Sequence, residues 1–237
     1  MSKVDFSEKT IVLTGVGRAG QVGEIVAKAF SDVGARLALI DRDDQVQARA
    51  EELARTGATA SPYVCDLTNP DDVAATAKRV GADSNGSIAA LVNLAGGFAM
   101  SGPVADSDPA VLHKQIAINL TTAYLATRAF LPLLRAEKGA IVYFASASVL
   151  PDGSSKNMSG YAIAKAGVLA LMRSVAAEEV GVVRANALAP TQIRTAENVA
   201  AMGESAAYVE REAIAEAVLF LCSPTSRNVT GQTIKLQ

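Results

Sequence analysis

The chain has 237 residues, of which 50% are hydrophobic, and a formal net charge of -2 at pH 7. This length and content suffice to bury a core, and the balanced charge argues against a nucleic-acid or membrane partner. Cys65 and Cys222 stand inside apolar runs, and His113 is the only histidine. We therefore expect a cytoplasmic protein with reduced thiols and no metal site.

The first half of the chain alternates apolar runs with helical patterns. Strands are predicted over 10–14, 36–40, 60–65 and 89–94, and helices over 24–30, through 53 and from Asn69-Pro70 onward. Parallel strands need a crossover, which is usually a helix. The alternation therefore predicts a parallel sheet.

The second half continues the alternation. A long helix is predicted from about 109 to 134, a strand over 139–144, a helix around Tyr161, a strand over 182–188 stopped by Pro190, a helix over 210–222 and a strand over 233–236. Near-continuous apolar strands suit a sheet that is covered on both faces. The predicted fold class is α/β, a single-domain doubly wound (Rossmann) parallel sheet of about seven strands with helices on both faces.

A glycine-rich turn lies between the first predicted strand and helix. It reads Thr14-Gly15-Val-Gly17-Arg-Ala-Gly20-Gln-Val-Gly23. Glycines let a backbone approach a pyrophosphate, and a helix N-terminus offers free N–H groups. The candidate cofactor contacts in this turn are Gly15, Gly17, Arg18, Gly20 and Val22.

Asp41 closes the second predicted strand, where a carboxylate can accept hydrogen bonds from the adenosine ribose. Because a carboxylate repels a 2′-phosphate, NAD is favoured over NADP, although the neighbouring Arg42 would soften that choice. The alternative role for Asp41 is the N-cap of the following helix.

Tyr161 and Lys165 stand one helical turn apart on the same face. A phenol has a pKa near ~10, and an ammonium about 4 Å away would favour the phenolate by roughly 4 kcal/mol at an effective dielectric of about 20. Such a tyrosine would exchange a proton near neutral pH. The alternative is an amphipathic helix with an unrelated surface lysine.

These motifs, in this order, resemble the short-chain dehydrogenase/reductase family over nearly the whole chain. The resemblance implies that Asp66 with Leu67 contacts the adenine, and that Asn93 and Gly96 of Asn93-Leu-Ala-Gly96 line the cofactor cleft. Ile193, with Thr195, would face the nicotinamide carboxamide. The domain would be a single dinucleotide-binding oxidoreductase domain over 1–237.

The resemblance also implies the catalytic roles. Tyr161 would be the general acid or base, and Lys165 would lower its pKa and bind the nicotinamide ribose. Ser146 would polarise the substrate oxygen, with Ser148 as the competing candidate, and Asn119 would hold a water that links Lys165 to solvent. The substrate would be a small alcohol or carbonyl compound, and the protein a homo-oligomer, a dimer or tetramer.

Some features depart from the family pattern. The glycine turn is longer, the lid segment 195–207 is short and alanine-rich, and the chain ends soon after its last strand. The main expectation is an NAD(H)-dependent oxidoreductase that interconverts a secondary alcohol and a ketone. The alternatives are a nucleotide-binding scaffold protein without turnover, and an enzyme that uses the same cofactor for epimerisation or dehydration.

Overall fold

The computed structural model describes residues 5–237. In this part of the chain seven strands form one sheet in the order β3-β2-β1-β4-β5-β6-β7, and every neighbouring pair is parallel. The strands are β1 (Thr10–Thr14), β2 (Arg36–Asp41), β3 (Thr59–Val64), β4 (Ala90–Asn93), β5 (Ala140–Phe144), β6 (Arg184–Pro190) and β7 (Thr233–Leu236). The order reverses between β1 and β4, which is the switch point of a doubly wound sheet. The predicted fold class is confirmed.

Helices connect the strands. They are α1 (Val22–Asp32), α2 (Gln45–Arg55), α3 (Pro70–Asp83), α4 (Pro109–Gln115), α5 (Thr122–Glu137), α6 (Ser159–Glu178), α7 (Ala196–Met202) and α8 (Arg211–Cys222). Short 3-10 turns occupy Val104–Asp106, Ala147–Val149 and Pro224–Ser226. That a single domain spans 1–237 stays a prediction, because residues 1–4 lie outside the described residues.

Apolar side chains cover both faces of the sheet. Since successive strand residues point to opposite faces, Val12 joins a core with α3, α5 and α6, whereas Leu13 joins a core with α1, α2 and α8. Cys65 and Cys222 are free and buried in these two cores, as the sequence predicted. His113 is exposed on α4, also as predicted.

Two predicted elements need correction. The sixth strand does not stop before Pro190 but runs through it, pairing Pro190 with Leu236. A proline at the last strand position removes no ladder bond, because the next amide, that of Thr191, donates to the Leu236 carbonyl at 2.9 Å. The long helix is also not continuous. A π-helical turn, Ile116–Thr121, separates α4 from α5.

The helix α6 is the one helix among residues 5–237 that is long and apolar enough to cross a membrane, with a mean hydropathy of 1.2 over its best window. Its buried residues, among them Val168 and Met172, pack in the core beside the sheet. The core helix of a globular protein meets the same criterion, so this property is weak evidence for a membrane span.

Candidate active site

The loops after β1 and β4 meet at the switch point. The Thr14 hydroxyl accepts the backbone N–H groups of Leu94 at 3.1 Å and Ala95 at 3.2 Å. Gly15 has a φ of 73°, and a Cβ there would lie 2.6 Å from the Ala95 Cα. Only glycine fits this close approach. The first predicted cofactor contact is thus fixed against the loop that carries Gly96.

The glycine turn is held from the second strand. The Asp41 carboxylate accepts the Gly17 N–H at 2.7 Å and the Arg42 N–H at 2.8 Å. Asp41 is therefore not the N-cap of α2, which is Asp44. Its carboxylate stays half-buried at the carboxyl edge of the sheet, where a ribose would be met in a doubly wound fold.

The helix α1 begins at Val22, directly after the turn, and its N-cap residue Gln21 makes no side-chain capping hydrogen bond. The first N–H groups of a helix have no partner within it. The start of α1 therefore presents free donors and a partial positive charge at the glycine turn, which fits the binding of a pyrophosphate. Arg18 points elsewhere and pairs with Glu197 of α7.

At the end of β3, Asp66 and Leu67 face different surroundings. The Asp66 carboxylate accepts the N–H of Thr68 at 2.9 Å and its hydroxyl at 2.7 Å, and these hydrogen bonds lower the pKa of Asp66. Leu67 is buried in the core. Both follow β3 at the sheet edge, which leaves the adenine contact a prediction.

Asn93 ends β4 with an amide that is buried and lacks partners. Its side chain is only 5% exposed, and neither Nδ2 nor Oδ1 has a hydrogen-bond partner in the part of the chain that the structure describes. A buried polar group without a partner costs free energy. Such a pair of orphaned atoms beside the glycine turn fits a site that is completed by a polar ligand.

The π-helical turn carries Asn119. The Asn119 Nδ2 donates to the Gln115 carbonyl at 3.1 Å and to the Gly97 carbonyl at 2.9 Å, while its Oδ1 accepts the Gly97 N–H at 3.2 Å. Single π-helical turns are frequent at functional sites. Here the amide side chain joins the widened helix to the loop after β4. A Cβ on Gly96 would lie 2.6 Å from Asn119 Oδ1 and 3.6 Å from Lys165 Nζ, so these three residues converge.

Lys165 is buried beneath this cluster. Its Nζ donates to the Phe144 carbonyl at 2.8 Å and lies 5.7 Å from the centroid of the Tyr161 ring. Burial lowers the pKa of the Lys165 ammonium to about 8. The predicted Tyr161/Lys165 pair therefore shares one face of α6, with the ammonium over the ring.

The expectation that Lys165 lowers the pKa of Tyr161 is wrong for this structure. Burial raises the pKa of the Tyr161 phenol, and a hydrogen bond from Ser146 acts in the lowering direction. The physical reason is desolvation, which disfavours a buried phenolate. Ser146 rather than Lys165 is the neighbour that favours the ionised form.

Ser146 and Ser148 are linked rather than alternatives. Their hydroxyl oxygens lie 2.9 Å apart, and the Ser148 N–H donates to the Ser146 Oγ at 3.2 Å. Because Ser146 also contacts Tyr161, it is the serine nearer the proposed chemistry. Ser148 orients it from the following turn.

Other predicted residues lie apart from this cluster. Ile193 is half-buried and its carbonyl accepts the Asn198 Nδ2 at 2.7 Å. Thr195 caps α7 by accepting the Asn198 N–H at 3.2 Å, a role the sequence analysis did not assign. Among residues 5–237, no group of three or more His, Cys, Asp and Glu side chains is placed to hold a metal ion.

Several contributors were missed by the sequence analysis. Phe98 is 58% exposed and packs edge-on against Tyr161 at a centroid distance of 5.0 Å. Gln115 supports Asn119, and its i, i+4 spacing is a signal that was available. Thr14 was visible as the first residue of the turn. Its hydroxyl bonds to the β4 loop depend on residues far along the chain.

The fold and the site define a class of nucleotide-binding α/β proteins with a Ser, Tyr and Lys cluster beside the switch point. A family model described as enoyl-(acyl carrier protein) reductase matches residues 15–236. The chain belongs to the short-chain dehydrogenase/reductase family. It is an oxidoreductase of the class that acts on CH–OH groups with a nicotinamide dinucleotide.

Individual relatives support this placement. The chain is 35% identical to 2-(S)-hydroxypropyl-CoM dehydrogenase 3 of Xanthobacter autotrophicus, over 95% of this chain and 94% of that protein. It is 33% identical to the inactive 2-(S)-hydroxypropyl-CoM dehydrogenase 2 of the same organism, over 87% and 95%. A structure of gluconate 5-dehydrogenase from Burkholderia cenocepacia with NADP and tartrate has a TM-score of 0.89 at 24% identity, covering 98% and 95% of the two chains.

Proposed function

We propose that the protein is an NAD(H)-dependent oxidoreductase that interconverts a secondary alcohol and a ketone, with Tyr161 as the general acid and base. The observation that carries the proposal is the convergence of Tyr161, Ser146 and Lys165 beside the glycine turn. When bound, the nicotinamide dinucleotide would supply or accept the hydride.

The residues at the sheet edge suit that cofactor. The uncapped start of α1 and Gly15 would receive the pyrophosphate, and Asp41 the adenosine ribose. The orphaned amide of Asn93 is a further polar group in this region. Asp66, Leu67 and Ile193 complete the proposed set at the two ends of the cleft.

NAD(H) is proposed over NADP(H) because of Asp41. Its carboxylate is anchored by the Gly17 N–H, so it cannot turn away from an incoming 2′-phosphate without breaking that bond. Arg42 is exposed and lies 4.0 Å from Asp43, which draws its charge away from Asp41. The relative that holds NADP shares only the fold at its level of identity.

Tyr161 would donate its proton to the carbonyl oxygen during reduction and take the alcohol proton during oxidation. In the cofactor-free protein burial raises its pKa, so the phenol is held in the acid form that reduction needs. Ser146, hydrogen-bonded to Tyr161, would hold the substrate oxygen. Lys165, with a pKa of about 8, would bind the ribose, and Asn119 would hold the water through which Lys165 exchanges protons.

The substrate is proposed to be small and apolar beside its reacting carbon. Phe98 stacks on Tyr161 and Met100 is exposed in the same loop. Apolar side chains at the mouth of a polar site favour an uncharged ketone or alcohol.

A homo-oligomer, dimer or tetramer, in the cytoplasm completes the proposal. Tyr124 on α5 and Ile163 on α6 are large and more than half exposed, at 51% and 52%. Exposed apolar groups on adjacent helices suit contact with a second copy. Size-exclusion chromatography with light scattering of the wild type and of Ile163→Glu tests this, since a monomer in the wild type would contradict it.

The test of the function replaces Tyr161 by Phe. Turnover of a panel of secondary alcohols and ketones with NAD(H) is expected to fall by about 1,000-fold or more, whereas the Kd for NADH stays within about twofold because the ring remains. Tyr124→Phe is the matched control. Undiminished turnover in Y161F would overturn the proposed role.

The second candidate function is a nucleotide-binding protein without turnover. It is favoured by the raised pKa of Tyr161 and by the existence of an inactive relative. A wild-type protein that binds NADH but converts no member of the panel in either direction would support this candidate and reject the first.

A further inference from the structure

The lengthened glycine turn is tied to α1 by a side chain that no role has yet been given. Glu24 lies in the first turn of α1, and its carboxylate accepts the backbone N–H of Gly20. Gly20 has a φ of 71° and open space around the position of a Cβ, so packing does not hold it in place. The carboxylate is the contact that fixes this part of the turn.

The position of Glu24 resembles a capping box. In that motif an acidic residue in the first helical turn reaches back to a backbone N–H at the start of the helix. Here the side chain reaches one residue further, to the glycine before the N-cap residue Gln21. It therefore fixes the turn and leaves the first amides of α1 free for an anion.

Glu24 is itself held by Arg49 of α2. A cavity of about 380 Å³ separates α1 from α2, and the Arg49 side chain crosses it with only 18% of its surface exposed. Its Nη1 lies 3.9 Å from the Glu24 carboxylate and pairs with Glu52. The Arg49 Nε is buried without a partner among the described residues. Arg49 thus offsets the negative charge that Glu24 places near the phosphate site.

We propose that Glu24 is a positioning residue for the cofactor pyrophosphate, and that Arg49 acts through it. The inference rests on the proposed nicotinamide dinucleotide function. Glu24 holds Gly20 so that the lengthened turn keeps a shape that accepts the phosphates. Arg49 keeps the Glu24 carboxylate in place and balances its charge. The adenosine end of the site, which depends on Asp41, does not depend on this pair.

The test compares ADP with adenosine by isothermal titration calorimetry in wild type, Glu24→Ala and Glu24→Gln. E24A is expected to weaken ADP binding at least tenfold and adenosine binding less than twofold, because only ADP carries the pyrophosphate. E24Q keeps an oxygen that accepts the Gly20 N–H, so its ADP affinity should stay within threefold of wild type. Thermal unfolding checks that each variant is folded.

Arg49→Met and the double variant E24A/R49M complete the cycle. R49M should weaken ADP binding severalfold, and the double variant should bind ADP no more weakly than E24A, because Arg49 acts through Glu24. Glu212→Ala is the matched control, since Glu212 lies in the first turn of α8. It should bind ADP as the wild type does.

The outcomes separate the inference from the function on which it rests. A wild type that binds neither ADP nor NADH would overturn the proposed function and this inference with it. A wild type that binds ADP, with E24A binding equally well or losing adenosine to the same degree, would overturn the inference alone. Additive losses in the double variant would reject the route through Glu24.

Discussion

The Asp41 carboxylate accepts the Gly17 N–H at 2.7 Å, and a Cβ on Gly17 would lie 3.0 Å from the Asp41 Cγ. One side chain therefore both positions the glycine turn and presents charge at the ribose end of the cleft. These two roles can be separated, because an amide oxygen keeps the hydrogen bond and removes the charge.

Asp41→Asn is expected to lower the ratio of the NADPH Kd to the NADH Kd by about tenfold, since one unit charge beside a phosphate contributes roughly 1.4 kcal/mol at the partly solvated edge. Fluorescence titration with both cofactors measures the ratio. Asp43→Asn removes a charge two positions further on and should leave the ratio unchanged. An unchanged ratio in D41N would reject the discriminating role of Asp41.

Ser146→Ala should slow alcohol oxidation by about 100-fold. The hydroxyl of Ser146 lowers the pKa of Tyr161 against the effect of burial, so removing it raises that pKa. Oxidation needs the deprotonated phenol, and its rising limb in a pH–rate profile should therefore move to higher pH. Ser148→Ala retains the Ser146 hydroxyl and should cost less than tenfold with no such movement. Equal losses in the two variants would contradict this order.

Gly96→Ala should lower turnover more than stability. The added methyl group would lie 2.6 Å from Asn119 Oδ1, which must move and disturb Lys165 next to it. We expect a destabilisation of about 1 to 3 kcal/mol and a loss of most activity. Gly81→Ala in α3 is the control. Its methyl group would meet the flexible Leu133 side chain at 3.3 Å, and the change should stabilise the helix by up to about 1 kcal/mol. Full activity in G96A would show that Asn119 tolerates displacement.

Lys165→Met should stabilise the cofactor-free protein at neutral pH. The pKa of Lys165 is lowered to about 8 by burial, so below that pH the folded protein carries a buried charge that the unfolded chain solvates. The difference from the ordinary pKa corresponds to roughly 3 kcal/mol, less about 1 kcal/mol for the lost bond to the Phe144 carbonyl.

The sign of this effect sets its pH dependence. Between about pH 8 and the ordinary lysine pKa of ~10.4 the unfolded chain binds more protons than the folded one, so wild-type stability rises with pH and the advantage of K165M shrinks. The measurement is the difference in Tm between K165M and wild type at pH 7 and pH 10. Lys114→Met, at an exposed position on α4, should show no such trend, and a trend of opposite sign in K165M would contradict the buried charge.

Local patterns were sufficient to predict the fold and the ends of its strands. Asp41, Asn93 and Ser146 were placed correctly at the sheet edge because parallel strands all end on one side, and the polar residue after each apolar run marks that side. The role of the glycines was also readable, since Gly15 needs a positive φ.

The remaining features depend on contacts between distant segments. The sign of the pKa change at Tyr161 is set by how much of the ring the folded protein covers, including Phe98, and spacing along α6 cannot report that. The tie from Glu24 to Gly20 exists because the turn folds back over the first helical turn. Periodicity likewise could not locate the π-helical turn, since the apolar residues on either side read as one helix.

The π-helical turn has a consequence for anyone who exchanges segments between this protein and a relative. Each residue in a regular helix advances the chain by about 100°, so removing one residue within 116–121 would rotate everything downstream by that angle. Phe130 and Leu134, now fully buried, would swing toward water. A graft across this stretch must therefore preserve its residue count, even where the two sequences otherwise look interchangeable.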